Sequence, residues 1–252
     1  MEAITSPVGR QGEAQVGRLD TVRRLLGWAS IPLLVIALYM ALVYAPPEAT
    51  MGNVYRIFFF HMPSALASFA GFFVTFVASI GYLRTRRQGW DIWAVAGAEV
   101  GILFATVAIV TGSFWARPVW NTWWTWDPRL TTVTIMWLTY IAYLMLREAV
   151  DDPERRARLA AVMGIIAFAN VPLVWLSARW FRTIHPVLFG GTNPQAKGDF
   201  SLAPSMVVAL MAGMVAVLVL WGYFLVRRVR LEQERARLVQ HYLEGGERGH
   251  LG

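Results

Sequence analysis

An all-α bundle of six transmembrane helices is the architecture this sequence predicts, and three observations predict it. The 252-residue chain is 56% hydrophobic, with a mean hydropathy of +0.46. Charged residues make up only 15% of it and gather in short clusters. Between those clusters lie six apolar runs, each close to the roughly 20 residues that cross a hydrocarbon core. One membrane domain fills a chain of this length, with no room for a second large soluble domain.

The elements follow in order along the chain. Residues 1–24 are polar and carry Gly, Pro and scattered charge. They lack the short apolar core of a signal peptide and read as a cytoplasmic tail. The membrane domain spans 25–226. Its first span runs over 25–44 and stops at Pro46-Pro47. The second covers 62–83, the third 92–114 and the fourth 130–146. The fifth covers 159–176 and the sixth 204–226. Residues 227–252 form a second charged tail, whose 227–243 stretch of Arg, Glu and Leu reads as a solvated or headgroup-lying helix.

Positive charge sets the orientation. Arg10, Arg18, Arg23 and Arg24 precede the first span, and Arg84, Arg86 and Arg87 follow the second. Arg147, Arg155, Arg156 and Arg158 lie between the fourth and fifth, and six more Arg follow the sixth. The other side keeps Arg56, Arg117, Arg129, Arg179, Arg182 and Lys197. Lys and Arg stay in the cytoplasm, so both termini are expected inside. The net charge of +7 is explained by these loops and calls for no nucleic acid.

Three segments then face outward, 45–61, 115–129 and 177–203, and almost everything chemically unusual lies in them. The connection between the third and fourth spans holds Trp115, Trp120, Trp123, Trp124 and Trp126, five of the twelve Trp in the chain. An interfacial aromatic belt explains one or two Trp per helix end. Trp120, Trp123 and Trp124 recur at i, i+3, i+4, so a short interfacial helix would make of them a flat apolar platform suited to a large planar ligand. Asp127-Pro128 reads as an N-cap followed by the first helical residue. In that place the carboxylate would sit beside the platform, able to orient an imidazole or a polar group of the ligand. Arg117 and Arg129 flank the loop and suit a ligand carboxylate or a lipid headgroup. Arg56, Arg179 and Arg182 are further candidates. Glu99, within the third span, is costly there and reads either as a docking or path residue or as a water-exposed carboxylate. Gly97 and Gly101 flank it at the spacing of close helix packing.

Two of the four His, His61 and His185, fall on the outer side, while His241 and His250 lie in the charged tail. Imidazole is a common axial ligand of haem iron. Zinc wants more ligands than this side offers, and with no cysteine there are no thiolate ligands and no C-x-x-C-H attachment motif.

The segment Trp123-Trp124-Thr125-Trp126-Asp127-Pro128-Arg129-Leu130-Thr131 resembles the W-W-x-W-D-x-R-L-T signature of the cytochrome c maturation protein C family, also called haem exporter protein C. His61-Met62-Pro63-Ser64 resembles its H-x-P-S motif, and Thr111-Gly112-Ser113-Phe114-Trp115 its T-G-S-x-W. Asn170-Val171-Pro172 and the run ending Arg182-Thr183-Ile184-His185 resemble its second histidine region. Asn121, Phe181 and Pro186 depart from the pattern, standing where the family usually has Gly, Trp and Gln. Larger haem-handling proteins share the Trp-Asp loop but continue it with acidic residues, so Arg129-Leu130-Thr131 favours the smaller protein C.

The resemblance implies a bacterial inner-membrane protein, not an enzyme, that holds haem b as transient cargo at the periplasmic face. It implies His61 and His185 as axial ligands, with Trp120, Trp123, Trp124, Trp126, Asp127 and Arg129 holding the ring. The implied partners are a periplasmic haem chaperone, a small membrane subunit and the subunits of an ATP-binding cassette (ABC) transporter. The competing readings are a cytochrome b-like electron-transfer subunit, which would want His pairs inside the spans, and a haem–cytochrome ligase component.

Overall fold

The computed structural model describes residues 7–185 and 202–249, with side chains over 17–185 and 202–239. Among the described residues there is no β-strand. Seven α-helices follow in order: α1 Pro7–Tyr39, α2 Phe58–Thr85, α3 Gln88–Trp120, α4 Pro128–Glu148, α5 Pro153–Phe168, α6 Asn170–Trp180 and α7 Pro204–Gly249. A π-helical turn, Met40–Tyr44, extends α1, and a 3-10 turn, Asn53–Ile57, leads into α2. Six of the resulting units are long and apolar enough to cross a membrane, α5 and α6 together making one. The chain is a multi-pass, all-α membrane protein.

The helices outrun the apolar runs of the sequence, because polar and aromatic residues continue a helix through the headgroup zone as readily as apolar ones. α3 reaches Trp120, beyond the expected end at 114. The fifth span is one apolar run in sequence but two helices in space. Pro172 carries no N–H for the preceding turn, and the chain breaks at Ala169. The 227–243 stretch is helical as expected, and with no Pro or Gly between Tyr223 and Leu243 it continues the sixth span as part of α7.

α3 is the most enclosed span and α2 the next, while α1 and α4 lie at the periphery. Lipid tails are as apolar as Leu, so helices associate in a membrane through close packing and polar contacts. The α2–α3 seam follows that rule. A Cβ on Gly71 would lie 2.7 Å from Gly101 Cα and 2.8 Å from the Gly97 carbonyl oxygen. Thr75 sits in the same seam and donates its hydroxyl to the Ala94 carbonyl at 3.1 Å. Beside Gly71, Phe72 borders Gly101 in the same seam and stacks on Tyr140 of α4 with ring centroids 3.7 Å apart.

Ion pairs tie the helices at the end of the bundle away from the Trp loop. Arg147 of α4 grips both oxygens of Asp91 of α3, at 2.6 and 2.7 Å. Arg230 of α7 does the same to Asp20 of α1, at 3.0 and 2.9 Å. Glu99 is held by Arg228 of α7 through its Nη2 at 2.7 Å and its Nε, so its partner lies within this chain. These pairs hold Arg228 and Arg230, just beyond the sixth apolar run, against α3 and α1. The Asp91–Arg147 side chains are only 13% and 10% exposed. Removing one partner strands the other, and such losses run at about 3–5 kcal/mol. Asp91→Ala is expected to lower the melting temperature in detergent more than the Asp91→Ala/Arg147→Met double variant does. Equal melting of the single and double variants would show the pair to be uncoupled.

Candidate functional site

At the end where α3 gives way to α4, a cleft opens among α2, α3, α4 and α6. Its walls bring together His61, His185, Trp120, Trp123, Trp124 and Arg129, residues separated by up to 124 positions in sequence. Trp126 and Asp127 stand outside the lining. Trp126 is 75% exposed and borders a second, apolar recess between α3 and α4 that shares Trp124 and Ile109 with the first.

His61 sits one turn inside α2, where its ring faces α3. Its Nδ1 lies 3.0 Å from the Ala108 carbonyl oxygen and 3.3 Å from Thr111 Oγ1. A carbonyl only accepts, so Nδ1 carries a proton, and in the neutral ring the lone pair that ligates a metal is then on Nε2. Trp115 packs its edge on the ring at 5.9 Å. Gly112 leaves room for it: a Cβ there would meet His61 Cε1 at 3.0 Å. The helix thus presents an oriented imidazole at the cleft.

The Trp-rich segment is not the short helix expected from the spacing of Trp120, Trp123 and Trp124. α3 ends at Trp120, and Asn121 takes the left-handed conformation, φ 55° and ψ 27°. Asn tolerates that region better than other non-Gly residues, which keeps the turn where the related pattern carries Gly. Arg117 donates to Asn121 Oδ1 and closes the helix end. The chain then runs irregularly over 121–127, pinned by the Thr122 hydroxyl on the Trp124 carbonyl at 2.9 Å. Trp123 packs edge-on against Phe114 at 5.6 Å, and Trp124 against Trp126 at 5.9 Å. The Trp124 Nε1 and Thr125 Oγ1 atoms are buried with no hydrogen-bond partner among the described residues. Both residues line the cleft, where polar groups of a ligand would satisfy them.

Asp127 caps α4, accepting from the Leu130 amide at 3.0 Å through Oδ1. Its Oδ2 accepts from the Thr183 hydroxyl at 2.8 Å. Arg129 donates to the Val174 carbonyl of α6 and also lines the cleft. Of the five arginines named from sequence for a ligand carboxylate, it alone does so. Arg56 is turned onto the Leu42 carbonyl, and Arg179 onto the Trp175 ring at 4.6 Å. Arg182 is exposed beside Thr183. Ala108, Thr111 and Thr183 were not singled out from sequence. Thr111 opens the T-G-S-x-W motif and Thr183 stands two residues before His185, a spacing at which hydroxyls bond a later amide.

The cleft is lined by two imidazoles, indole rings, a guanidinium and polar atoms that have no partner among the described residues. Among the described residues there is no cluster of three or more His, Asp or Glu that would hold a bare metal ion. A metal that brings its own equatorial donors is what two imidazoles fit.

Comparison with known proteins gives a consistent result. The sequence model of a family described as "Heme exporter protein C" matches residues 13–243. Heme exporter protein C of Bradyrhizobium diazoefficiens is 36% identical over 223 residues, covering 87% of this chain and 83% of the relative. The protein of the same name in Escherichia coli K12 is 31% identical over 183 residues, 70% of this chain and 74% of the relative. A mitochondrial protein of Marchantia polymorpha named for cytochrome c biosynthesis is 28% identical over 200 residues, 79% and 82% of the two chains.

Proposed function

Because this chain belongs to the haem exporter protein C family, we propose that it takes part in haem export for cytochrome c biogenesis. Its part is to hold haem at the periplasmic face of the inner membrane and give it up to a chaperone. The observation that carries this reading is the convergence of His61 and His185 on one cleft walled by Trp120, Trp123 and Trp124. Haem b is the cargo. It supplies iron whose two axial positions suit the two imidazoles, and carboxylates that suit Arg129.

The chain's own residues do the handling. The indoles of Trp120, Trp123 and Trp124 wall the ring and exclude water. The Ala108 carbonyl accepts the His61 Nδ1 proton, which leaves Nε2, aimed by the helix, as the nitrogen for iron. His185 follows a non-helical stretch, where coordination is easier to break, and a docked acceptor's ligand would replace it first. Coordination at an open cleft suits release. No bond is made or broken in the cargo other than iron–ligand bonds, so the role is transport and assembly rather than enzymatic turnover. Both termini are cytoplasmic in this reading. The partners are the subunits of an ABC transporter, a small membrane subunit and a periplasmic haem chaperone.

Trp123→Ala/Trp124→Ala tests the cradle. The double variant is expected to insert and melt normally yet hold haem about tenfold less tightly, since removal of an aromatic anchor costs about 1–3 kcal/mol. Titrating haem into the purified full chain and following the Soret band measures it. Wild-type affinity in the double variant would take the Trp wall out of the site. A wild-type chain that gives no Soret band on titration would overturn the haem reading itself.

A further inference from the structure

Resting on the haem-delivery reading, we propose that Thr183 is a positioning residue that fastens the His185 side of the cleft to the Trp loop through Asp127. Three hydrogen bonds make the link. The Thr183 hydroxyl donates to Asp127 Oδ2 at 2.8 Å, and its oxygen accepts from the His185 amide at 3.0 Å. The other oxygen of Asp127 caps α4 through the Leu130 amide at 3.0 Å. One hydroxyl thus joins the start of α4, the end of the Trp segment and the backbone of a proposed iron ligand.

The setting explains why such a link is needed. α6 ends at Trp180, and 181–185 lie outside any helix, so His185 is not carried on a helical turn. His61 has a helix and a carbonyl to hold it. Thr183 is 4% exposed while Arg182 and Ile184 on either side are exposed, so the segment turns one short polar side chain inward. Nearby contacts bring α6 to the same end of α4, with Arg129 on the Val174 carbonyl and the Thr132 hydroxyl on Ser177 Oγ at 3.2 Å. These hold the helix, whereas only Thr183 among them reaches past its end to His185. Asp127 does not line the cleft and has both oxygens engaged, so its effect on the cargo passes through Thr183 rather than by direct contact.

The test uses the full chain in lipid nanodiscs with three variants: Thr183→Val, which keeps the shape and removes the hydroxyl, Thr183→Ser, which restores it, and Asp127→Asn, which keeps the helix cap. With only four His in the chain, ¹⁵N-histidine labelling leaves four amides, and the one absent in His185→Ala is that of His185. Its hydrogen exchange is read without haem, and the iron spin state is read after haem loading. In Thr183→Val the His185 amide should exchange roughly five- to tenfold faster, the loss expected for one hydrogen bond. The ferric haem should shift toward the high-spin signature of His185→Ala, with Thr183→Ser restoring both and Asp127→Asn lying between. Unchanged exchange in Thr183→Val overturns the link. Faster exchange with an unaltered spin state overturns the positioning role. A wild-type chain that binds no haem overturns the delivery reading, while the exchange arm still decides the link. If Thr183→Val does not fold, Asp127→Asn carries the same two readouts.

Discussion

His61→Ala is expected to lower haem retention by at least about tenfold, and the His61→Ala/His185→Ala double variant to lose the Soret band altogether. The magnitude follows from coordination chemistry: loss of a mere outer-shell partner of a metal ligand typically costs 10–100-fold, and loss of the ligand itself costs no less. The two positions should not be equivalent. His61 is seated on α2, oriented by the Ala108 carbonyl and backed by Trp115. His185 hangs on a non-helical segment held by Thr183. The single variant at 61 should therefore cost more affinity than the one at 185, and the 185 variant should chiefly speed haem loss. Neither change should lower the melting temperature of the haem-free chain by more than a few degrees, because each residue borders an open cleft. Measuring haem stoichiometry and haem-free melting side by side separates loss of a ligand from loss of the fold. Full haem retention in the double variant would remove both residues from the site.

Gly71→Val should have the largest effect on the fold. At Gly71 the backbones of α2 and α3 touch, and the atoms that an added Cβ would meet are the Gly101 Cα and the Gly97 carbonyl oxygen. Backbone cannot swing aside as a side chain does, so the helices must separate or shift. Overpacking of this kind costs about 1–3 kcal/mol and more where the neighbours are rigid. The same two helices carry His61 and the Ala108 carbonyl that orients it, about 15 Å further along α2 at 1.5 Å per residue. Accumulation of Gly71→Val in membranes should therefore fall severalfold, and the protein that survives should bind haem less well. Gly89→Val is the control, since nothing lies within 4 Å of a Cβ there. Equal accumulation of the two variants would mean that the seam is looser than its distances imply.

What sequence could reveal of this protein follows from the range of the interactions involved. The six spans were legible because each is a contiguous apolar run, and membrane thickness sets its length. The close packing at Gly97 and Gly101 was legible for the same reason, a local spacing of four. Helix ends were less so: at Trp120 the helix stops because Asn121 turns left-handed, and nothing in the i, i+3, i+4 spacing of the Trp residues forecast that. The irregular 121–127 path wins over a short helix because Asp127 must stay extended, at φ −69° and ψ 164°, to cap α4. Partners far apart in sequence were not legible at all. Glu99 finds Arg228 across 129 positions and Asp127 finds Thr183 across 56. The candidate site was legible in its residue types, since His and Trp are conspicuous, but not in its support. The carbonyl of Ala108 and the hydroxyl of Thr183 belong to residue types with no chemical signature of their own.

The claim on which the rest stands is that one haem iron takes a nitrogen from His61 and a nitrogen from His185. Electron–nuclear double resonance on the ferric, haem-loaded chain labelled with ¹⁵N-histidine measures that directly, in a variant with His241 and His250 replaced by Gln. Two coupled ¹⁵N imidazole nitrogens on a low-spin iron are the expected result. A single ¹⁵N coupling, or none, on a haem still held in the cleft would contradict it.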